Sequence, residues 1–358
     1  MYPALAVAGA VRRLYPQAKL FFVGARGDMA RGLVERSDVT FDRYDEVLAG
    51  PVHGIPRIGQ AISAVKIAAG VLQSLALALR LRPEVLFLTG GWVGVPMALA
   101  CWLLRRPIVI YVPDIEPGLM LKVIGRRFAR VIAATTDATA AFYPGQRVEV
   151  TGYPLRPEIL QADRATALEA LRLDPRRRTL LVFGGSRGSR SINTTVSAIA
   201  PQLLADGTQI LHISGQLDWP QVEAAHAQLS PAEREHYHIF PFLPDIGQAF
   251  AAADLVISRA GAATLAEYPQ LGLPAILVPY PHAWRYQKVN ADYLVERGAA
   301  IRLDDERLAT DLLPTVRALL ADEERLSAMR RASEALRQPN GAENIARLLA
   351  RTAGHAAG

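Results

Sequence analysis

Between Asp254 and Asn290 the chain twice repeats one unit, an apolar strand, a turn of small residues and a helix; this repeat restricts the fold more than any other stretch. Leu255, Val256 and Ile257 form a buried-type strand, Ser258 to Gly261 a small-residue turn, and Ala262 to Gln270 a helix carrying Glu267 one turn inside. Leu273-Pro274 opens a second apolar strand, Ala275 to Val278. Pro279 to Ala283 then lead into a helix on which Gln287 and Asn290, three residues apart, share a face. A strand running through a tight turn into a helix points free backbone N–H groups and the positive end of the helix dipole at one spot, and such a spot suits a phosphate.

The same alternation fills the rest of the chain. Strands are expected at Thr179 to Phe183, Gln209 to Ile213 and His238 to Phe240, with helices at Arg164 to Leu171, Gln221 to Gln228, Arg307 to Leu320, Glu323 to Leu336 and Ala342 to Arg351. Earlier, an apolar helix ends near Leu14, and strands are read at Lys19 to Val23, Val85 to Leu88, Pro107 to Val112 and Val148 to Thr151. A long helix is expected from Arg57 to Arg82, and the stretch Val39 to Pro56 reads as loop because of its Gly and Pro breakers. Alternating strands and helices in two halves, with glycine turns after strands in both, imply an α/β chain of two doubly wound, Rossmann-like domains facing one cleft. The boundaries are expected at 1–155 and 156–340, with 341–358 crossing back to brace the first domain. The turn Gly184-Gly185-Ser186-Arg187-Gly188-Ser189 lacks the GxGxxG spacing, so a nicotinamide cofactor has no fingerprint here.

Composition narrows the chemistry. The 358 residues are 51% hydrophobic and 21% charged, as in a globular chain long enough for two cores. The single cysteine, Cys101, lies in an apolar run; it excludes an intramolecular disulfide and reads as packing. The seven histidines show no metal-ligand spacing, and neither a metal nor another cofactor is expected. No apolar run is read as reaching the roughly 20 residues that span a bilayer. Of the net charge of +6, residues 1–155 hold 18 Lys plus Arg against 11 Asp plus Glu, so the first half carries the positive field. That favours an anionic membrane surface or a phosphorylated partner. Nucleic acid is not expected, since no Lys/Arg run interleaved with aromatics and no binding module is present.

The runs SRAGAATLAE and GLPAILVPYPH, followed by Gln287 and Asn290, resemble the donor-nucleotide signature of family 28 glycosyltransferases. The resemblance covers nearly the whole chain and implies the GT-B fold. It is strongest to members that move N-acetylglucosamine from UDP-N-acetylglucosamine to lipid I, giving lipid II in peptidoglycan synthesis. It implies that Glu267 takes the ribose hydroxyls, that Gln287 and Asn290 lie at the sugar, and that Arg259, Gly261, Ala262, Ala263 and Thr264 lie near the diphosphate. Gly185, Ser186, Arg187 and Gly188 resemble the family's Gly-Gly-Ser-Gln-Gly turn, Arg187 standing in place of Gln and pointing either to the phosphates or outward. Phe242 and Leu243 fall in the loop whose main chain reads uracil in the family. Arg156, in a hinge segment where Tyr153 replaces the usual Asn, either reaches the phosphates or makes a hinge salt bridge.

In the first domain, Gly90, Gly91 and Trp92 resemble a second glycine loop on the acceptor side, although a plain tight turn accounts for the glycines as well. Tyr111 to Asp114 stand where the family typically has His-Glu-Gln-Asn, so the acceptor is open to question. Asp114 and Glu116 become the candidate bases, since a carboxylate in a partly dry cleft can accept a proton from a sugar hydroxyl; capping and solvation are their plain alternatives. Leu119 to Arg130 mixes aliphatics with Lys122, Arg126, Arg127 and Arg130, and with Met97 to Arg106 suits either an anionic membrane surface or an ordinary core. The family's first strand and glycine loop would precede Tyr2-Pro3-Ala4, so the start is expected to be truncated or misassigned, or the sheet to begin one strand late.

The expected function is an inverting UDP-N-acetylglucosamine transferase with a lipid-linked diphosphate acceptor, peripheral on the cytoplasmic face of the cell membrane. A transferase for another lipid or glycan, a UDP-sugar 2-epimerase and a non-catalytic UDP-sugar-binding protein remain the alternatives.

Overall fold

The computed structural model describes residues 2–27, 30–50, 56–185, 188–282 and 286–355, which form two compact units. One comprises Met1–Pro154 with Asn340–Gly358, the other Leu155–Pro339.

The first unit begins with α1 (Tyr2–Leu14), β1 (Phe21–Ala25), α2 (Ala30–Glu35), β2 (Arg43–Val47) and α3 (Arg57–Leu81). It continues through β3 (Leu86–Leu88), α4 (Gly94–Leu103), β4 (Ile108–Val112), α5 (Leu119–Arg127), β5 (Val131–Ala134) and β6 (Val148–Val150). Strands β3-β4-β5-β6 make a parallel sheet in that order, and β1 pairs with β2 in a parallel sheet of its own. Every residue of β4 and β5 is buried, because both faces are covered. The two-residue period sends Ile108, Ile110 and Val112 to the face packed by Met97, Ala98 and Cys101 of α4 and by Met120, Leu121 and Ile124 of α5. Val109 and Tyr111 go to the other face, against Val7, Ala10 and Val11 of α1 and Ile345, Ala346 and Leu349. These last residues belong to α16 (Gly341–Ala353), which packs on α1; a Cβ at Gly341 would stand 2.3 Å from the Tyr153 carbonyl. Burial pushes the Cys101 thiol up to about 11, consistent with packing.

Two expectations are corrected. The stretch read as loop contains β2, a polar strand (RYDEV) in which Arg43 and Asp45 pair side by side, so it offers no apolar period to read. The chain also does hold one helix long and apolar enough to cross a membrane: Ile62–Leu81 of α3 spans 20 residues at a mean hydropathy of 1.8. Lys66, Gln73 and Arg80 interrupt it, so counting uninterrupted runs passes over it.

The second unit runs α6 (Pro157–Leu160), α7 (Arg164–Ala170), β7 (Thr179–Phe183), α8 (Arg190–Ala205), β8 (Gln209–Ile213), α9 (Trp219–Ala227), α10 (Pro231–Arg234) and β9 (Tyr237–Phe240). It then continues with α11 (Ile246–Ala252), β10 (Leu255–Ser258), α12 (Thr264–Leu271), β11 (Ala275–Leu277), α13 (Tyr286–Glu296), β12 (Ala300–Arg302), α14 (Leu308–Ala321) and α15 (Glu323–Ala335). Its six strands are all parallel, in the order β12-β11-β10-β7-β8-β9. The chain leaves β7 toward β9 and returns to β10 beside β7, so the direction of winding reverses between these two strands. Loops at the carboxyl ends of such a pair diverge and leave a crevice, the usual ligand position in an open α/β sheet.

Candidate active site

The two turns at that switch point are Gly184–Ser189, between β7 and α8, and Arg259–Ala263, between β10 and α12. In the first, the Gly188 amide closes on the Gly185 carbonyl at 3.0 Å. Gly188 has φ +77°, and a Cβ there would stand 2.3 Å from the Ser214 carbonyl oxygen, so the position admits glycine alone. Ser186 and Arg187 lie outside the described residues. In the second turn, Thr264 and Leu265 donate back to the carbonyls of Gly261 and Ala262, and the Thr264 hydroxyl donates to Gly261 at 2.6 Å. Among the described residues, the amides of Gly261, Ala262 and Ala263 donate to no backbone carbonyl. Two helix amino ends thus lie beside one crevice, the second with donors to spare, a suitable cradle for a diphosphate.

Glu267 sits on α12 with 8% of its surface exposed. Burial raises its pKa, opposed by the Arg156 guanidinium, whose Nη2 lies 3.6 Å from Oε1. Arg156 immediately precedes α6 and is 39% exposed at the side chain, so of the two sequence readings the salt bridge is the contact observed. The arrangement holds a carboxyl group at the edge of a largely dry site, its charged form opposed by burial and favoured by Arg156.

The remaining donor-side residues divide between exposed and internal positions. Gln287, on α13, accepts the Tyr280 amide at 2.8 Å through Oε1, which leaves its NH2 group as donor. Asn290 is fully buried, and its Nδ2 donates to the Ala260 carbonyl at 3.2 Å, tying α13 to the second turn. The Arg259 guanidinium is engaged inside the protein: it donates to Asp305, to the Ser191 hydroxyl and to the Val278 and Pro279 carbonyls, and lies 5.3 Å from the Tyr280 ring centre. Only the backbone at Arg259 belongs to the turn's open face. Ser191, Tyr280 and Asp305 are the partners that sequence reading missed; each is remote in sequence from Arg259 and carries no local signal. Phe242 is 62% exposed after β9, with Leu243 half-buried beside it.

A cavity of about 500 Å³ in this unit is elsewhere, at the amino ends of β7 and β10, lined by Arg164, Arg178, Arg330 and Asp254. All three guanidiniums donate to the buried Asp254 carboxylate, and Arg164 also caps the last carbonyls of α11. Its charges are spent internally, so it is a structural hub.

In the first unit, Gly90 and Gly91 take φ of +125° and +83° after β3, while Trp92 packs against the cluster containing Leu88 and Met97. Asp114 and Glu116 are half-buried in the loop before α5. The N-cap position of that helix is held by Gly118, which has no side chain to bond. Tyr111 is fully buried, its hydroxyl 2.9 Å from Thr135 Oγ1 and its ring 6.2 Å from that of Tyr153. Both aromatic replacements therefore meet in the core under the loop. Among the described residues, no group of three His, Cys, Asp or Glu side chains could hold a metal ion.

Residues 1–133 match the glycosyltransferase family 28 N-terminal domain and residues 179–345 the glycosyltransferase family 28 C-terminal domain. The UDP-N-acetylglucosamine–N-acetylmuramyl-(pentapeptide) pyrophosphoryl-undecaprenol N-acetylglucosamine transferase of Desulforudis audaxviator is 35% identical, over 99% of this chain and 95% of its own. The protein of the same name from Symbiobacterium thermophilum is 34% identical over 97% and 91%. Among solved structures, Acinetobacter baumannii MurG superposes with a TM-score of 0.78 at 23% identity, covering 98% of this chain and 95% of that one. A putative UDP-N-acetylglucosamine 2-epimerase from Listeria monocytogenes gives 0.68 at 15% identity over 97% and 92%, a likeness of fold alone. The fold is GT-B, with two Rossmann-like domains. With both domains matched and such relatives aligned along nearly its entire length, the chain belongs to glycosyltransferase family 28.

Proposed function

We propose that the chain is an inverting glycosyltransferase that moves N-acetylglucosamine from UDP-N-acetylglucosamine to lipid I, giving lipid II. The observation that carries this reading is the buried Glu267 carboxylate, held by Arg156 beside the open amino end of α12 at the switch point. A nucleotide ribose needs such an acceptor, and a diphosphate needs such a helix end. The names of the relatives supply the sugar and the acceptor.

Glu267 accepts the ribose hydroxyls, and the amides of Gly261 to Ala263, with the turn containing Gly185 and Gly188, take the diphosphate. Gln287 offers its NH2 group to a sugar hydroxyl, and the main chain near Phe242 and Leu243 reads the base. The acceptor hydroxyl attacks the anomeric carbon opposite UDP; the new C–O bond forms as the C1–O bond to UDP breaks, and configuration inverts. Asp114 or Glu116 takes the hydroxyl proton, and the helix ends stabilise charge on the departing diphosphate.

The acceptor's polyprenyl chain requires a membrane, and the first unit offers a surface for it. Ile62, Val65, Leu72 and Leu79 of α3 are 53%, 70%, 70% and 56% exposed. Trp102, Leu103, Leu119 and Val123 are also exposed, and Lys122, Arg126 and Arg127 border a shallow groove on α5. Exposed aliphatics beside basic residues suit peripheral binding to an anionic leaflet on the cytoplasmic side.

The test is transfer of labelled N-acetylglucosamine from its UDP donor to a lipid I analogue in anionic vesicles. Labelled lipid II is expected. Formation of UDP-N-acetylmannosamine without acceptor would replace the reading by an epimerase, and donor binding with no transfer to this lipid would remove the acceptor.

A further inference from the structure

His212 occupies a position that the alternation of β8 assigns to the core. It stands with Ile210 on the face covered by α8 and is fully buried, and burial holds its pKa down to about 3, so the ring is neutral. Its neighbours fix the tautomer. Asn193, in the first turn of α8, donates through Nδ2 to the Ser214 carbonyl at 2.9 Å and to Asp218 Oδ2 at 3.1 Å. Both partners are acceptors only, so the atom that Asn193 turns to His212 Nε2, at 2.9 Å, is its own acceptor Oδ1. Nε2 therefore carries the ring proton. Nδ1 is left with a lone pair, which accepts the Tyr237 hydroxyl at 2.8 Å.

The chain of bonds runs in one direction, from Tyr237 on β9 through His212 on β8 to Asn193 on α8. It ends on the segment that abuts the first glycine turn. The Ser214 carbonyl that receives Asn193 is the atom against which Gly188 is packed. The other Asp218 oxygen accepts Nε of Arg190, the first residue of α8, at 3.0 Å. A shift of α8 relative to the carboxyl end of β8 would thus pass directly into the turn, because Gly188 has no room to absorb it.

We propose that His212 is a positioning residue for the nucleotide site: through Asn193 it holds the amino end of α8 and Gly188, just before it, at a fixed spacing from the end of β8. The proposal rests on the reading of the first glycine turn as a diphosphate site. His212 touches no substrate; it acts through Asn193 and Ser214. Packing alone does not account for it, since a leucine of similar volume would fill the space but leave the Asn193 Oδ1 and the Tyr237 hydroxyl unserved.

The experiment titrates UDP-N-acetylglucosamine into the full chain and its His212→Leu and His212→Gln variants by calorimetry, with thermal melts alongside. The glutamine amide places a donor and an acceptor where the two ring nitrogens stand. His212→Leu is expected to weaken donor binding about tenfold, and His212→Gln to restore it to within about threefold, with KM for the donor moving more than kcat. Equal binding by all three proteins, or equal loss in both variants, overturns the positioning role while leaving the donor site intact. A wild-type chain that binds no nucleotide overturns the donor-site reading and this proposal with it. Should His212→Leu fail to fold, the 15N spectrum of the wild-type imidazole decides: a protonated Nε2 and bare Nδ1, shifting on donor addition, are expected. A protonated Nδ1, or a signal indifferent to the donor, refutes the assignment.

Discussion

Replacing Glu267 by alanine should separate binding from stability. The carboxylate is 8% exposed and its ion-pair partner, Arg156, is 39% exposed at the side chain. Removing it leaves a guanidinium that water can reach, and because burial of the carboxylate offsets the attraction of Arg156, the pair's net worth is about 0–1 kcal/mol. The melting temperature should therefore move by no more than about 3 °C. The nucleotide loses far more. A charge-assisted hydrogen bond contributes about 1.5–3 kcal/mol, and with Oε1 already turned toward Arg156 one strong ribose bond is the sound count, so about 2 kcal/mol or roughly 30-fold in Kd is expected. Calorimetric titration with UDP-N-acetylglucosamine measures it, since that donor has no phosphate titrating near neutrality.

The pH dependence follows from the same burial. The pKa of Glu267 is raised above its model-peptide range, so its folded-state advantage belongs to the protonated form: it is complete below the unfolded pKa and is lost as pH rises through the folded one. Nucleotide binding runs the other way, because the ribose requires the carboxylate. Affinity should decline in the wild type as pH falls through the raised folded-state pKa of Glu267, and stay flat over the same range in Glu267→Gln. An unchanged Kd in Glu267→Ala, or parallel pH slopes in wild type and Glu267→Gln, would refute the reasoning.

Three further changes probe the first unit. Gly125→Ala puts a Cβ 2.3 Å from the Tyr143 ring and 2.7 Å from Ile110, and should cost about 1–3 kcal/mol in urea unfolding. Val65→Asp with Leu72→Asp alters two side chains each 70% exposed, so stability should hold within about 1 kcal/mol while binding to anionic vesicles in flotation falls at least about tenfold. Tyr111→Phe removes the hydroxyl bonded to Thr135 and should cost about 1 kcal/mol of stability with acceptor kcat/KM unchanged; a large loss of kcat/KM would return Tyr111 to the acceptor site.

The parts of this molecule that sequence reveals are those whose cause is local. The apolar runs of β4, β7 and β10 and the small-residue turns after β7 and β10 are each set by a few adjacent side chains, and the two-domain α/β fold follows from the alternation of strands and helices. The parts that stay hidden depend on partners distant in the chain. Arg259 looks like a phosphate ligand until Asp305, Ser191 and the Val278 carbonyl take its donors. Asn290 shares a helix face with Gln287, yet the approach of Ala260 buries it. Tyr111 and Tyr153 look like two separate departures from the family and prove to be one packing contact. The strand β2 is invisible for the converse reason: its pairing with β1 is held by backbone bonds and the stacked rings of Phe22 and Tyr44, while the alternation of RYDEV shows no hydrophobic period.

The most direct measurement is a crystal structure of the chain with UDP-N-acetylglucosamine. The ribose hydroxyls are expected on the Glu267 carboxylate and the diphosphate on the amides of Gly261 to Ala263. A nucleotide bound away from both, for example among Arg164, Arg178 and Arg330 at the opposite end of the sheet, would contradict it.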